Sequence, residues 1–363
     1  MFYRAIGLMS GSSLDGLDIV FAEFTEQAGK WSYDIKAADC YPFEDEWKEK
    51  LQSATSLSAY DYLLLHTSFG RYLGEQVNKF IDAHHLQHQV QIIASHGHTV
   101  FHAPHLKMTA QLGDGAAIAA TTGINVVSDL RALDIALNGQ GAPIVPMGEK
   151  LLFADYPLLL NIGGIANVSY RKDDEYIAFD VCPANRVLNM LSALSGKSFD
   201  ENGDMASKGN VLNEVLDKLN GLGYYQQSYP RSLANQFGTD EVFPLLPKDN
   251  IADALRTYVE HIAIQIRKSI EGFLDQGTNN NYQLLITGGG AHNNFLVSRI
   301  QDQLAALNVT VVVPENNIVD YKEALVMALL GILRWREQNT VLSSVTGAIR
   351  DSIGGAVWIG QEA

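Results

Sequence analysis

A turn rich in glycine, serine and aspartate near the N-terminus has the residue types that bind nucleotide phosphates. Residues 10–18 read Ser-Gly-Ser-Ser-Leu-Asp-Gly-Leu-Asp. Glycines let the backbone approach an anion closely, and hydroxyl and amide groups donate to phosphate oxygens. Asp15 and Asp18 suit a hydrated Mg²⁺, which prefers oxygen ligands and keeps several waters. Taken alone, the same residues also fit an ordinary hairpin loop.

Two more glycine-rich turns follow predicted strands, one at Gly163 and Gly164 and one at residues 288–290. Neither of the first two turns contains the Gly-Lys-Ser/Thr of a Walker P-loop, which excludes that class. Three such turns at equivalent strand ends favour a nucleotide site over three unrelated hairpins. The predicted nucleotide-binding residues are Gly11, Ser12, Ser13, Leu14, Asp15, Gly16, Leu17, Asp18, Gly163, Gly164, Gly288, Gly289 and Gly290, and Asp15 and Asp18 are also the predicted Mg²⁺ ligands.

A single carboxylate is the candidate for acid–base chemistry. Asp180 ends a predicted strand in the run Phe-Asp-Val-Cys-Pro-Ala-Asn. A carboxylate at the end of a strand can point into a ligand site and act as a general base. The alternative is that Asp180 only complements the dipole of the helix that follows.

Several side chains could bind a sugar. His96 and His98 stand two residues apart, a spacing that places both imidazoles on one face of a strand. No matching set of metal ligands is evident elsewhere, so sugar binding with the neighbouring Thr99 is favoured over a metal site. Arg131 suits a ligand that carries a carboxylate. Glu323 opens an apolar helix, where its alternative role is to complement the helix dipole.

The hydrophobic pattern occurs twice along the chain. In each half, three strands form a meander and are followed by helix, strand, helix and strand. The predicted meanders are residues 4–10, 17–24 and 31–38, and then 158–162, 166–171 and 176–181. This pattern predicts an α/β chain of two duplicated domains with a cleft between them, the architecture of actin-like (ribonuclease H-like) ATPases and sugar kinases. We place the domains at residues 1–145 and 146–363.

The elements that follow each meander are also predicted. Ser58, with Asp61 three residues later, resembles a capping box at the start of a long helix. The predicted helices are 47–56, 59–84, 184–195, 251–274 and 321–336, and the predicted strands are 90–95, 124–128, 283–287 and 309–313.

Composition limits the classes of function. The chain has 363 residues, of which 47% are hydrophobic, and a net charge of -15, which repels nucleic acid and anionic membranes. The longest apolar stretch, residues 324–333, is far shorter than the roughly 20 residues of a membrane span. Cys40 and Cys182 are too few for a disulfide framework or a zinc site. With no signal sequence evident at the N-terminus, we expect a cytoplasmic protein.

Several motifs together resemble those of the anhydro-N-acetylmuramic acid kinase family over nearly the whole chain. Residues 10–18 match the family's Ser-Gly-Thr-Ser-Leu-Asp-Gly-x-Asp except that Ser12 replaces Thr, and residues 134–146 resemble its Asp-Ile-Ala-x-Gly-Gly-Gln-Gly-Ala-Pro-Leu-Val-Pro. Further matches are residues 161–167, 288–290, 323–325 and 344–348. Three segments depart: residues 180–185 read Asp-Val-Cys-Pro-Ala-Asn for Asp-Thr-Gly-Pro-x-Asn, His98 replaces Gln, and residues 231–234 read Arg-Ser-Leu-Ala for Lys-Ser-Thr-Gly.

The resemblance implies an ATP- and Mg²⁺-dependent kinase of a small amino sugar. The implied reaction opens 1,6-anhydro-N-acetylmuramic acid with water and phosphorylates O6, giving N-acetylmuramic acid 6-phosphate in peptidoglycan recycling. Asp180 would deprotonate the water, while Thr99, Arg131 and Glu323 would hold the sugar. The oligomeric state is open, with a homodimer as one expectation. The alternatives are an ordinary hydroxyl kinase of another amino sugar with the same fold and a non-catalytic sensor, which the absence of spare chain length disfavours.

Overall fold

The computed structural model describes residues 1–11, 14–172, 175–229, 231–234, 236–274 and 281–361. In this part of the chain the strands are β1 (Phe2–Ser10), β2 (Gly16–Gln27), β3 (Lys30–Pro42), β4 (Ile92–Ser95), β5 (His98–Ala103), β6 (Met108–Leu112), β7 (Asn125–Ser128), β8 (Leu158–Ile162), β9 (Ile165–Lys172), β10 (Glu175–Pro183), β11 (Tyr282–Thr287), β12 (Val309–Val312) and β13 (Ala356–Trp358). The helices are α1 (Asp45–Ser53), α2 (Ala59–Ala83), α3 (Gly115–Thr122), α4 (Ala132–Ala136), α5 (Val145–Leu152), α6 (Asn185–Ala193), α7 (Asn213–Asn220), α8 (Ile251–Glu271), α9 (Asn294–Leu304), α10 (Asn316–Trp335) and α11 (Ser343–Thr346).

The chain forms two compact units. The first unit comprises Met1–Ala154 and Tyr321–Ala363, and the second comprises Asp155–Asp320. The sheet of the first unit has the order β13-β7-β4-β1-β2-β3. Strands β1 to β3 form an antiparallel meander, β4 runs parallel to β1, and β7 runs parallel to β4. A separate hairpin of β5 and β6 belongs to the same unit.

The sheet of the second unit has the order β10-β9-β8-β11-β12. Its first three strands are again an antiparallel meander, β11 runs parallel to β8, and β12 runs parallel to β11. The order β3-β2-β1-β4-β7 in the first unit therefore corresponds to the order β10-β9-β8-β11-β12 in the second. In both sheets the strands follow the order 3-2-1-4-5 when they are numbered within the unit. The predicted duplication of actin-like, ribonuclease H-like α/β units is therefore confirmed.

The C-terminal part of the chain differs from the predicted division into residues 1–145 and 146–363. Helix α5 and the chain from Tyr321 onward belong to the first unit. Strand β13 extends its sheet through an antiparallel pairing in which Val357 lies opposite Val127. Helix α10 packs so closely on this sheet that a Cβ on Gly7 would collide with the backbone of Ala324. The packing of the C-terminal chain on the first unit depends on pairing between residues that are far apart in the sequence. A local sequence pattern does not reveal such pairing.

The core of each unit forms from one face of its sheet and an amphipathic helix. In α2 the buried residues Leu65, Phe69, Leu73, Val77 and Phe80 recur every three or four positions, so they share one face. Helix α8 buries a corresponding stripe in the second unit. Fully burying such a side chain stabilises the fold by about 1.5–3 kcal/mol, so these stripes fix the helices on the sheets that carry the site residues.

Both long helices begin with a side-chain cap. The Ser58 hydroxyl accepts the backbone N–H of Asp61 at 3.1 Å, as the sequence predicts. The Asn250 side chain accepts the N–H of Asp253 at 3.2 Å at the start of α8. Each cap satisfies one backbone donor that the first helical turn leaves unpaired.

No described helix combines the length and the apolar character that crossing a membrane requires.

Candidate active site

The first glycine-rich turn joins β1 to β2 in the first unit. Ser10 lies opposite Leu17, and Met9 lies opposite Asp18, so the hairpin closes directly at the turn. A Cβ on Gly16 would lie 2.7 Å from the carbonyl oxygen of Tyr41, so this glycine is needed for contact with β3. The predicted residues Ser12 and Ser13 lie outside the described residues.

The remaining residues of this turn include the two predicted magnesium ligands. The Leu14 N–H donates to the carbonyl oxygen of Gly11 at 3.4 Å, and Leu14 has a φ of 60°. Asp15 is exposed and Asp18 is half-buried. Within the described residues, no group of three or more His, Cys, Asp and Glu side chains is placed to hold a metal ion. An ion held by Asp15 and Asp18 would take its other ligands from water and phosphate, a donor set that fits Mg²⁺.

The second and third glycine-rich turns lie against each other within the second unit. A Cβ on Gly288 would lie 2.6 Å from the side-chain oxygen of Asn161, which precedes the Gly163–Gly164 turn. The Gly163 carbonyl accepts the N–H of Asn185 at 3.0 Å, which docks the turn on the start of α6. The sequence predicted these turns separately, and the structure brings both to one end of the β8–β11 strand pair.

The glycines in these two turns fall into two groups. Added Cβ atoms on Gly163, Gly164 and Gly289 would have no neighbour closer than 3.6, 3.9 and 3.6 Å, respectively. Gly288 has a φ of 82° and Gly290 packs on Ile162, so neither tolerates a side chain. The first group would accept a Cβ at ordinary van der Waals distances, and the close contacts of the second group hold the turns together.

Asp180 lies near the end of β10 and is half-buried. Its Oδ2 accepts the backbone N–H of Leu233 at 2.8 Å and the hydroxyl of Ser232 at 3.0 Å. Its main-chain carbonyl accepts the hydroxyl of Tyr224 at 2.6 Å, and its N–H donates to the carbonyl of Arg231 at 3.3 Å. Backbone and carboxylate are therefore both held by neighbouring segments.

Burial raises the pKa of Asp180, while the hydrogen bonds from Leu233 and Ser232 and the charge of Arg231 lower it. Burial is the largest of these effects, so Asp180 is a stronger base than a free aspartate. A β-bulge follows it, since β9 and β10 shift register between Asp180 and Cys182. Such a bulge changes the direction of a strand next to a functional side chain.

The two residues that depart from the family motif after Asp180 are structural. Val181 and Cys182 are fully buried in the core of the second unit. Burial raises the pKa of the Cys182 thiol, so this cysteine stays protonated at neutral pH and is not a nucleophile.

Arg131 is held by hydrogen bonds within the first unit. Its Nε and Nη2 donate to Nε2 of His96 at 2.9 and 2.7 Å, and its Nη1 donates to the carbonyl of Gly141 at 2.7 Å. Burial and the nearby Arg131 charge lower the pKa of His96 to about 3, so the ring is neutral. Its Nδ1–H donates to the carbonyl of Gly97 at 2.8 Å, which leaves Nε2 as the acceptor.

Glu323 and Arg131 interact electrostatically. Burial raises the pKa of Glu323, and the charges of Lys322 and Arg131 oppose that rise. Burial lowers the pKa of Arg131 to about 10, against the effect of Glu323 and Asp134, so the guanidinium stays cationic at neutral pH. Lys322 itself forms a buried ion pair with Glu149 at 2.6 Å.

Thr99 lies on the β5–β6 hairpin of the same unit. Its hydroxyl accepts the side-chain N–H of Gln111 at 3.4 Å. The predicted shared face of His96 and His98 is wrong, because β5 begins only at His98. His98 instead forms a hydrogen bond to the hydroxyl of Ser10 at 3.2 Å, and burial lowers its pKa to about 4.

The residues that hold the candidate base and the candidate cation were not predicted from the sequence. Ser232 and the N–H of Leu233 hold Asp180, and the carbonyl of Gly141 holds Arg131. The signal for the first pair was present, because residues 231–234 align with a family motif that contains serine. A backbone carbonyl carries no signal in a sequence.

A family model and the relatives found by sequence agree on one family. A family model described as "Anhydro-N-acetylmuramic acid kinase" matches residues 3–360. A protein of that name from Hydrogenovibrio crunogenus is 33% identical over 367 residues, which cover 97% of each chain. One from Vibrio parahaemolyticus is 34% identical over 363 residues, which cover 95% of each chain. Among solved structures, an activator of 2-hydroxyisocaproyl-CoA dehydratase from Clostridium difficile with bound ADPNP aligns with a TM-score of 0.45 and 15% identity, covering 92% of this chain and 96% of that one.

Proposed function

Because this chain belongs to the anhydro-N-acetylmuramic acid kinase family, we propose that it performs the family's reaction with Asp180 as the general base. The enzyme is an ATP-dependent sugar kinase. It opens 1,6-anhydro-N-acetylmuramic acid with water and phosphorylates O6, giving N-acetylmuramic acid 6-phosphate for cell-wall recycling. An ordinary hydroxyl kinase of another amino sugar is not favoured, because the family model and the relatives share one activity.

In the proposed step the Asp180 carboxylate takes a proton from water as the water oxygen bonds to the anomeric carbon. The bond between that carbon and O6 breaks, and its electron pair goes to O6. O6 bonds to the γ-phosphorus, and the bond from that phosphorus to the leaving ADP oxygen breaks. The raised pKa of Asp180 supports this role, because burial makes the carboxylate more basic.

The sugar is held in this proposal by Arg131, Thr99 and Glu323. N-acetylmuramic acid carries a lactyl carboxylate, the group that a cationic guanidinium binds best. Arg131 is oriented by hydrogen bonds to neutral His96 and to a backbone carbonyl, so none of these hydrogen bonds is to a carboxylate. The Thr99 hydroxyl and the Glu323 carboxylate supply a donor and an acceptor for sugar hydroxyls.

ATP is bound in this proposal by the three glycine-rich turns. Gly163, Gly164 and Gly289 have no side chain and no close contact at the Cβ position, so in this proposal phosphate or ribose approaches their backbone. A bound Mg²⁺ would be held by Asp15 and Asp18 and would neutralise phosphate charge. Location in the cytoplasm, where ATP is abundant, and assembly as a homodimer are part of the same proposal.

The observation that carries the assignment of the base is the half-buried Asp180, held by hydrogen bonds on one carboxylate oxygen. We expect Asp180→Asn to lower kcat by roughly 10²- to 10⁴-fold, the usual contribution of a general base, with little change in ATP affinity. The matched control is Asp217→Asn, which changes an exposed aspartate of the same unit. Wild-type turnover in Asp180→Asn would contradict the assignment.

A further inference from the structure

The segment that carries residues 231–233 holds Asp180 from one side. We propose that Arg231 is a positioning residue that fixes this segment and so makes Oδ1 of Asp180 the atom that accepts the proton from water. The inference rests on the proposed function, since it concerns the same carboxylate.

Hydrogen bonds commit one carboxylate oxygen and leave the other available. Oδ2 accepts from the Leu233 N–H at 2.8 Å and from the Ser232 hydroxyl at 3.0 Å. Within the described part of the chain, Oδ1 has no hydrogen-bond donor. The lone pairs of Oδ1 are therefore free to take a proton. Oδ2 keeps its two hydrogen bonds from Leu233 and Ser232 when this happens.

Arg231 is placed to hold the segment rather than to pair with the carboxylate. Its guanidinium carbon lies 5.0 Å from the ring centroid of Phe179 and 5.0 Å from that of Tyr224, so it is clamped between two aromatic faces. Its Nη1 donates to the carbonyl of Gln227 at 2.9 Å, and its Nη2 donates to the hydroxyl of Ser269 at 3.3 Å. These contacts connect Phe179 and residues 224–231 to helix α8.

The two aromatic residues that flank Arg231 are both connected directly to Asp180. Phe179 immediately precedes Asp180 on β10, and Tyr224 donates its hydroxyl to the Asp180 carbonyl at 2.6 Å. The main-chain carbonyl of Arg231 accepts the N–H of Asp180 at 3.3 Å. A change in the guanidinium would therefore move the segment that supplies both donors to Oδ2.

Three charged or titratable groups surround Asp180. They are Arg231 in the segment of residues 231–233, Cys182 on β10, and Tyr224 in the turn before residue 227. Burial raises the pKa of Cys182 and of Tyr224, so both are neutral at neutral pH. Arg231 is thus the charged group of this set, and its charge lowers the pKa of Asp180. Removing it raises that pKa, and the base is then protonated at a higher pH.

The test measures kcat and KM against pH for wild type, Arg231→Met and Arg231→Lys with the full chain. We expect Arg231→Met to lower kcat about tenfold and to move the acid limb of the kcat profile up by about one pH unit, while the KM for ATP changes less than about threefold. Arg231→Lys keeps a cation, as the family motif does, and should restore the limb to within a few tenths of a pH unit of wild type.

Two further variants complete the design. Arg267→Met is the matched control. Arg267 also has a buried Nε without a hydrogen-bond partner in the described residues, although Glu271 lies 3.8 Å from it, and Arg267 does not contribute to the pKa of Asp180. Ser232→Ala removes one donor to Oδ2 at an exposed position, so it tests the inference even if Arg231→Met does not fold. We expect it to shift the limb in the same direction.

The outcomes separate this inference from the proposed function. If Asp180→Asn is inactive while Arg231→Met and Ser232→Ala keep the wild-type acid limb, the role of Arg231 is wrong and the base is retained. An equal shift in Arg267→Met would also overturn the inference. If Asp180→Asn keeps wild-type turnover, the assignment of the base itself fails.

Discussion

The two units share one strand order, and each holds a charged candidate side chain in place with uncharged hydrogen-bond partners. In the first unit a cation, Arg131, is oriented by neutral His96 and by a backbone carbonyl. In the second unit a carboxylate, Asp180, is oriented by a backbone N–H and a hydroxyl. In both cases the orienting hydrogen bonds come from uncharged groups. A charge held in this way is fixed in position and still able to act on a ligand.

The glycine-rich turns of the two units differ in a second respect. A Cβ on Gly16 in the first unit would lie 2.7 Å from the carbonyl oxygen of Tyr41 on β3. In the second unit, added Cβ atoms would meet no atom closer than 3.6 Å at Gly163, Gly164 and Gly289. Close packing therefore requires a glycine at position 16, whereas Gly163, Gly164 and Gly289 have room for a methyl group. Glycine content alone does not distinguish these uses.

After Asp180→Asn, the largest effect should come from removing the cation of the first unit. We expect Arg131→Met to lower kcat/KM for the anhydro sugar about 10²- to 10³-fold, because truncating one partner of a hydrogen-bonded charge pair weakens binding by about 2–5 kcal/mol. The KM for ATP should stay near wild type. Steady-state kinetics with each substrate varied separately measures both.

Arg131→Lys serves as the control for charge alone. An ammonium group cannot reproduce the fork that contacts His96 and Gly141 together, so we expect an intermediate value. Loss of ATP affinity equal to the loss of sugar affinity in Arg131→Met would contradict the proposal that Arg131 binds the sugar.

The next effect distinguishes the two kinds of glycine in the second unit. Gly290→Ala forces a methyl group into Ile162 and should lower the free energy of unfolding by about 1–3 kcal/mol. Gly289→Ala adds its methyl group where the nearest atom is 3.6 Å away, so it should leave the Tm nearly unchanged and raise the KM for ATP. Thermal unfolding and ATP kinetics of both variants, compared side by side, are the measurement, and a Tm loss in Gly289→Ala alone would reverse the assignment.

The repeated part of the fold was predictable from the sequence because it is local. The meanders, the long helices and the Ser58 cap all follow from alternation, periodicity and neighbouring residues. The return of α10 and β13 to the first unit was not, because Val357 and its partner Val127 are far apart in the sequence. The placement of Asp180 on β10 matches the sequence, whereas its donors come from a segment about fifty residues later.

The smallest effect is on the free energy of unfolding at acidic pH, and it comes from His98 of the first unit. The pKa of His98 falls to about 4 in the folded chain, against about 6.5 when unfolded. The unfolded state thus binds more protons between these values, so the stabilising contribution is present above pH 6.5 and is lost as the pH falls toward 4.

Urea unfolding at pH 7 and pH 5 measures this loss. Between pH 7 and pH 5, the free energy of unfolding of wild type should fall by about 1–2 kcal/mol more than that of His98→Gln, because glutamine does not titrate. The family motif has glutamine at this position, so the variant is matched in size and polarity. An identical loss in both proteins would show that His98 does not remain neutral when folded.

The central claim is that a water molecule, activated by Asp180, opens the anhydro ring as O6 is phosphorylated. The most direct measurement is the reaction in ¹⁸O-labelled water, followed by the isotope shift of the anomeric carbon in the NMR spectrum, with preformed product in the same water as the control for exchange. We predict one solvent oxygen at the anomeric carbon, formed with the phosphorylated product in wild type and formed far more slowly in Asp180→Asn. Phosphorylated product without solvent oxygen at that carbon, or labelled product at the wild-type rate in Asp180→Asn, would contradict the claim.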